Sequence, residues 1–220
     1  MSATRRKRTA LGLVGLGIAA TAILQGAAWS ARSTTISGAT CTITGTDGDD
    51  VIIGTSADDV ICGLGGADVI AGNEGDDIIL GGRGADNIHG GPGNDFVTGG
   101  RGGDTLYGDL GDDTLTGGRG NDGLFAYRGQ DTLLGGAGRD TLNGGSEADV
   151  LRGGADNDDL AGGAGDDDLI GGSGRDVLNG YTGNDTISSV DGVSGNDTVD
   201  GGADTDACSV DPGDAIRNCE

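Results

Sequence analysis

The sequence predicts an all-β fold in which short repeats stack into a solenoid. Three observations carry that expectation. Residues 45–188 are sixteen consecutive nine-residue units without insertion or deletion, as GGRGADNIH at 81–89, GGRGGDTLY at 99–107 and GGAGRDTLN at 135–143 show. The eighth place of every unit is Ile, Val or Leu, from Ile52 through Val97 and Leu106 to Ile187. The sixth place is Asp in all sixteen, and the first is Gly in all but one, where Ala126 stands. One apolar residue in nine cannot build a globular core, but stacked units bury a continuous ladder of such residues.

Within a unit, six turn residues precede three strand residues. Gly at places one, two and four is expected to supply positive φ and to let backbone approach closely. The sixth-place Asp turns its carboxylate towards the same spot. In the strand, place eight points one way and places seven and nine the other. Those two places are mixed, with Val69, Thr105 and Asp168 at the seventh and Ala71, Tyr107 and Asn143 at the ninth.

The consensus Gly-Gly-x-Gly-x-Asp-x-apolar-x is the calcium-binding nonapeptide of RTX proteins. The chain resembles that family, the hemolysin-type calcium-binding repeats, over most of its length. The resemblance implies a right-handed parallel β-roll, a β-solenoid with two nonapeptides per coil, about eight to nine coils and degenerate caps. Alternate units then lie on opposite faces, and the sixth-place residues fall into two columns. One holds Asp50, Asp68, Asp86, Asp104, Asp122, Asp140, Asp158 and Asp176. The other holds Asp59, Asp77, Asp95, Asp113, Asp131, Asp149, Asp167 and Asp185.

Neighbours in such a column sit one strand spacing apart, about 4.8 Å. At an effective dielectric near 20, two carboxylates about 5 Å apart repel by roughly 3 kcal/mol. A metal-free roll is therefore expected to be unstable, and a hard divalent cation between successive turns removes the repulsion. Ca²⁺ accepts carboxylate and carbonyl oxygens in flexible geometry, whereas Mg²⁺ demands near-ideal octahedra. The absence of His and Cys from the sixth place argues against zinc or copper. Charge agrees. The chain has 13 basic and 36 acidic residues, a net charge of −23, and loss of Arg5, Arg6, Lys7 and Arg8 with a leader brings this to −27. Calcium in every gap of two eight-turn columns, up to about 14 ions, would bring the chain close to neutrality. The turns with Ala57, Glu147 and Asp156 at the fourth place, and Asp109 and Tyr127 at the second, are imperfect. The sites touching Ala57 and Glu147 are expected to be the weakest.

Residues 1–28 read as a signal peptide: Arg5-Arg6-Lys7-Arg8, then an apolar run of 15 residues at 10–24, then small residues before a cleavage site. Arg5-Arg6 lacks the apolar residues that follow a twin-arginine signal, so general secretion is expected. Residues 29–44 form a lead-in and cap whose Ile43 keeps the eighth-place phase, with Cys41 in place of Asp. Residues 189–209 contain a three-residue phase slip at Ser189-Val190-Asp191, then two further units with Asp197 and Asp206 at the sixth place. Residues 210–220 are a C-terminal cap with Ile216 in apolar phase. Cys41, Cys62, Cys208 and Cys219 sit two at each end, and in an exported chain they read as disulfides, paired locally rather than across a rod.

The Asp-Asp pairs, such as Asp76-Asp77 and Asp112-Asp113, recur with the repeat, which fits stoichiometric metal binding rather than an acid/base dyad. His89, the only His, has no Ser–His–Asp relay around it in the sequence. No phosphate loop or dinucleotide fingerprint is present, and the acidic balance disfavours nucleic acid as partner. Arg83, Arg101, Arg119, Arg128, Arg139, Arg152 and Arg175 read as scattered charge tempering. The chain is thus expected to be a secreted, non-catalytic calcium-binding β-roll, disordered without Ca²⁺. It has no membrane span after leader cleavage, and its partners are cell-surface or matrix components. Two alternatives are an accessory module of a separate enzyme and an ice- or mineral-binding face. The latter would use Thr105, Thr114, Thr132 and Thr141, although Gly123 and Asp159 interrupt that row.

Overall fold

The computed structural model describes residues 35–36, 39–193 and 195–220. The leader expected over 1–28, and the lead-in up to residue 34, lie outside the described residues. The described chain is an all-β parallel solenoid made of two ten-stranded sheets. One sheet runs from Val51–Ile53 to Ala215–Arg217, the other from Ile43–Thr44 to Ala207–Ser209, and the chain alternates between them. A small antiparallel pair, Thr35–Ile36 with Ala39–Thr40, precedes them. Thr105 lies opposite Gly123, Leu106 opposite Leu124 and Tyr107 opposite Phe125, so one coil takes two nonapeptides. Among the described residues no helix is long and apolar enough to cross a membrane.

The solenoid has about ten turns rather than eight to nine, because the degenerate ends each add rungs. Ile43–Thr44, Thr198–Ala203 and Ala207–Ser209 pair in register with the regular units, and Ala215–Arg217 pairs in turn with Thr198–Ala203. At about 4.8 Å per strand this makes a rod roughly 43 Å long. Its core is the two rows of eighth-place residues, one on each sheet, from Ile43 and Ile52 to Ile187 and Val199, each 2% exposed or less, joined by Ala126. A fully buried aliphatic side chain contributes about 1.5–3 kcal/mol. Ile216 keeps the register opposite Val199, yet it is 48% exposed because no coil follows.

The strands are longer than the three residues expected. Most span six, as in Thr105–Leu110 and Thr132–Ala137, covering places seven to nine and then one to three of the next unit. The reason is the two-residue pleat. The first place is two residues beyond the eighth, so it also points inward and the strand continues through it. This corrects the role of the first-place Gly. It is buried and its φ is not positive; left-handed backbone occurs at the second and fourth places, as at Gly100 (φ 113°) and Gly102 (φ 139°). What the first place needs is space. A Cβ on Gly135 would stand 2.5 Å from Asp140 Oδ2 and 2.6 Å from the Gly153 carbonyl.

The phase slip is absorbed in the turn between Thr186–Ser188 and Thr198–Ala203. Asp214 accepts the N–H groups of Gly195 and Asn196 and the hydroxyl of Ser189, while Asp211 accepts the N–H groups of Asp191 and Gly192. The C-terminal cap thereby staples the enlarged turn. Both disulfides pair locally: Cys41 with Cys62 (Cα–Cα 6.0 Å) at one end, and Cys208 with Cys219 (5.8 Å) at the other.

Candidate metal columns

The sixth-place aspartates point inward at the two turn edges and are 1–5% exposed. From Asp68 and Asp77 onward, each Oδ1 accepts the amide N–H of the aspartate one coil earlier. Asp50 N–H donates to Asp68 Oδ1 at 2.9 Å, Asp95 to Asp113 at 2.8 Å and Asp113 to Asp131 at 2.7 Å. The series crosses the phase slip unbroken, from Asp176 to Asp197 and from Asp185 to Asp206, where the separation becomes 21 residues. Carboxylate-to-amide bonding thus ties every coil to its neighbour at both edges.

The other carboxylate oxygen tells a different story. Oδ2 of sixteen aspartates, Asp68 through Asp185 together with Asp197 and Asp206, is buried with no hydrogen-bond partner. A buried anionic oxygen without a partner costs several kcal/mol unless a proton or a cation satisfies it. The carboxyls respond accordingly. Burial pushes Asp113 up to about 8, helped by the charges of Asp131, Asp95 and Asp109 and opposed by the amide bond from Asp95. Burial pushes Asp77, Asp149, Asp158 and Asp167 up to about 7.

The oxygen donors fit a hard cation. Among the described residues no group of three or more His, Cys, Asp or Glu is assembled. Successive turns offer two carboxylates, one from each coil, and the remaining donors would have to be carbonyls. The left-handed fourth place aims its carbonyl along the stack: a Cβ on Gly102 would overlap the Gly84 carbonyl, and one on Gly120 the Gly102 carbonyl. An all-oxygen set of carboxylates and carbonyls suits Ca²⁺, and it contains none of the softer donors that zinc or copper prefer.

The first coil departs from this pattern. Asp50 Oδ2 accepts the N–H and hydroxyl of Thr46 at 2.6 and 2.9 Å, and Asp59 Oδ2 accepts those of Thr55, both at 2.8 Å. Neither Ala57 nor Gly48 is left-handed there. These two carboxylates are satisfied by the protein itself. The signal lay in the second place, which is Thr only in the first two units. The other irregular turns keep the regular backbone: Glu147 and Asp156 both have φ 75°, Asp109 78° and Tyr127 76°. Asp149, beside Glu147, keeps its unpartnered oxygen.

A second, outer ladder escaped the sequence reading. At the fifth place, Asp76 N–H donates to Asp58 Oδ1 at 3.1 Å, Asn94 to Asp76 at 2.8 Å and Asp112 to Asn94 at 2.8 Å. The alternation of Asp and Asn at that place was the available clue. The model of the RTX calcium-binding nonapeptide repeat matches the chain in nine overlapping stretches that together span residues 42–214. The chain belongs to the RTX calcium-binding nonapeptide repeat family. A search among curated proteins finds no match. As an RTX chain it is a calcium-binding β-roll.

Other residues singled out in the sequence fall away from the columns of this RTX roll. His89 stacks on Tyr107, with ring centroids 4.3 Å apart, and pairs with Asp109 at 3.2 Å on an exposed sheet face. The threonines make no regular row: Thr105 and Thr141 flank Gly123 on one sheet, and Thr114–Thr132 on the other runs into Val150 and Asp168. Three of the seven arginines, in contrast, form a row. Arg83, Arg101 and Arg119 lie in register on three consecutive coils.

Proposed function

We propose that this chain is a secreted, non-catalytic structural protein of the cell surface or extracellular matrix that folds when Ca²⁺ fills its turn columns. One observation carries this reading: sixteen buried carboxylate oxygens have no partner, and they recur with every coil. Asp68, Asp86, Asp104, Asp122, Asp140, Asp158, Asp176 and Asp197 would hold ions along one edge. Asp77, Asp95, Asp113, Asp131, Asp149, Asp167, Asp185 and Asp206 would do so along the other. Two columns of eight give 14 gaps as a ceiling, the same number as expected but shifted one coil along the rod. Asp50 and Asp59, already bonded to Thr46 and Thr55, would close the columns and contribute weakly. The bound ion supplies positive charge between coils; the chain supplies spacing, burial and the amide bonds that orient each carboxylate.

Export is supported by the leader in the sequence and by two disulfides, which persist in oxidising compartments. A non-catalytic role is supported by periodicity, since every acidic pair recurs with the coil. The test is circular dichroism of calcium-stripped protein titrated with Ca²⁺, with ion stoichiometry read by calorimetry. Cooperative appearance of β signal, reversed by EGTA, is expected. A spectrum indifferent to both overturns the reading. A substrate screen that found turnover would remove the non-catalytic part and favour an enzyme-associated module.

A further inference from the structure

The two turn edges carry the same buried aspartates but a different balance of outer charge, one rich in arginine and the other in acids. On the edge that follows Arg83, the exposed third and fifth places present Arg83, Arg101, Arg119, Arg139 and Arg175. No acid lies at places three to five of that edge between Arg83 and Arg139, and only Asp47, Asp49 and Asp156 stand there before and after that stretch. On the opposite edge the same places, with the fourth, present Asp58, Glu74, Asp76, Asp112, Glu147 and Asp166, against Arg128 alone. None of these arginines is ion-paired, since the one ion pair among the described residues is His89–Asp109. Three arginines whose backbones stand one coil apart, about 4.8 Å, repel one another and present a row of planar donors matched to carboxylates.

We infer that calcium-loaded rolls associate side by side, the arginine edge of one copy against the acidic edge of the next. Both edges are cut from the same coil, so their charges repeat on one pitch, although the acidic edge has no acid on the coil of Asn94 and carries Arg128 one coil after Asp112. This rests on the calcium reading in one respect. The chain without its leader carries −27, and only ions in the columns remove the repulsion that keeps copies apart; a net charge near zero favours association. Ions add equally to both columns, so the contrast between the edges survives loading. The contact is heterologous. Each copy keeps one unused edge of either kind, so the array stays open rather than closing as a dimer.

Sedimentation velocity in saturating Ca²⁺ tests this. At low ionic strength the wild type should form species larger than a dimer, and these should dissolve as salt shortens the Debye length to about 3 Å near 1 M. Arg83→Glu/Arg101→Glu/Arg119→Glu leaves an intact acidic edge. Asp58→Asn/Glu74→Gln/Asp76→Asn/Asp112→Asn leaves an intact arginine edge, and Asn keeps the amide acceptor that Asn94 already supplies at the fifth place. Each variant alone should be monomeric, and an equimolar mixture should stop at a heterodimer. Circular dichroism with and without Ca²⁺ checks that each variant folds. Folded wild type that stays monomeric at low salt overturns the inference, as does association untouched by both variants. Monomeric wild type that binds dextran sulfate through the arginines overturns it in favour of a polyanion. Absence of any calcium response would instead refute the calcium reading.

Discussion

Asp113 sits mid-column and has its carboxyl pushed up to about 8 from an ordinary 3.8. The sign of its linkage follows. A raised folded value means that the metal-free fold holds its proton more tightly than the unfolded chain does. Stability is then fully present below the unfolded value and is lost as pH rises through the folded one. Calcium-stripped protein should show more β signal near pH 4 than near pH 8, read by circular dichroism. With excess Ca²⁺ the order reverses, because protons compete for the ligand oxygens. Asp113→Asn keeps the amide acceptor and removes the charge, so it should stabilise the stripped fold while lowering calorimetric stoichiometry by about two ions, one for each flanking gap. Gly102→Ala places a methyl on a left-handed residue against the Gly84 carbonyl. It should destabilise the loaded roll by about 2–4 kcal/mol in thermal unfolding. At this scale the sixth-place Asp was legible at once, because it never varies. The crowding at the first place was not: Gly there looks the same in sequence whether it is needed for φ or for space.

A strand of this roll owes its length to two inward places, the eighth and the first, and apart from Ala126 only the eighth has a side chain to bury. The alternation was therefore half hidden in sequence, and three residues per strand were read where six exist. Each rung rests on a single aliphatic group. Leu124→Ala, in the middle of the ladder and 0% exposed, should cost about 2–5 kcal/mol by calcium-saturated thermal melts. The ends behave differently. Ile216 is left open to solvent, and the Cys208–Cys219 bridge ties its segment to the strand Ala207–Ser209. Cys208→Ser/Cys219→Ser should loosen the last coil, costing about 2–4 kcal/mol there. Hydrogen exchange should speed up in 198–220 and stay unchanged near Leu124. The pairing of cysteines end by end was legible because a rod separates its termini. The Thr46 and Thr55 side chains that satisfy Asp50 and Asp59 in the first coil were visible only as a local deviation.

Across the whole molecule, the 18-residue coil was readable as a resemblance, and the strand register bears it out. The polarity of the two edges was not read. It emerges only when residues 18 apart are placed side by side, which turns Arg83, Arg101 and Arg119 from isolated charges into a row. A rod stabilised by nearest neighbours alone should unfold less cooperatively than a globular domain of its size.

The enlarged turn after Ser188 shows what governs this architecture. Three extra residues enter the chain, and both carboxylate ladders step across them to Asp197 and Asp206 without losing alignment. The spacing is kept by contacts between layers, not by counting along the backbone. Length should therefore be a free variable: excising or duplicating one complete winding would shorten or extend the rod by about 4.8 Å and leave its cross-section alone, as a ruler keeps its gradations when it is cut.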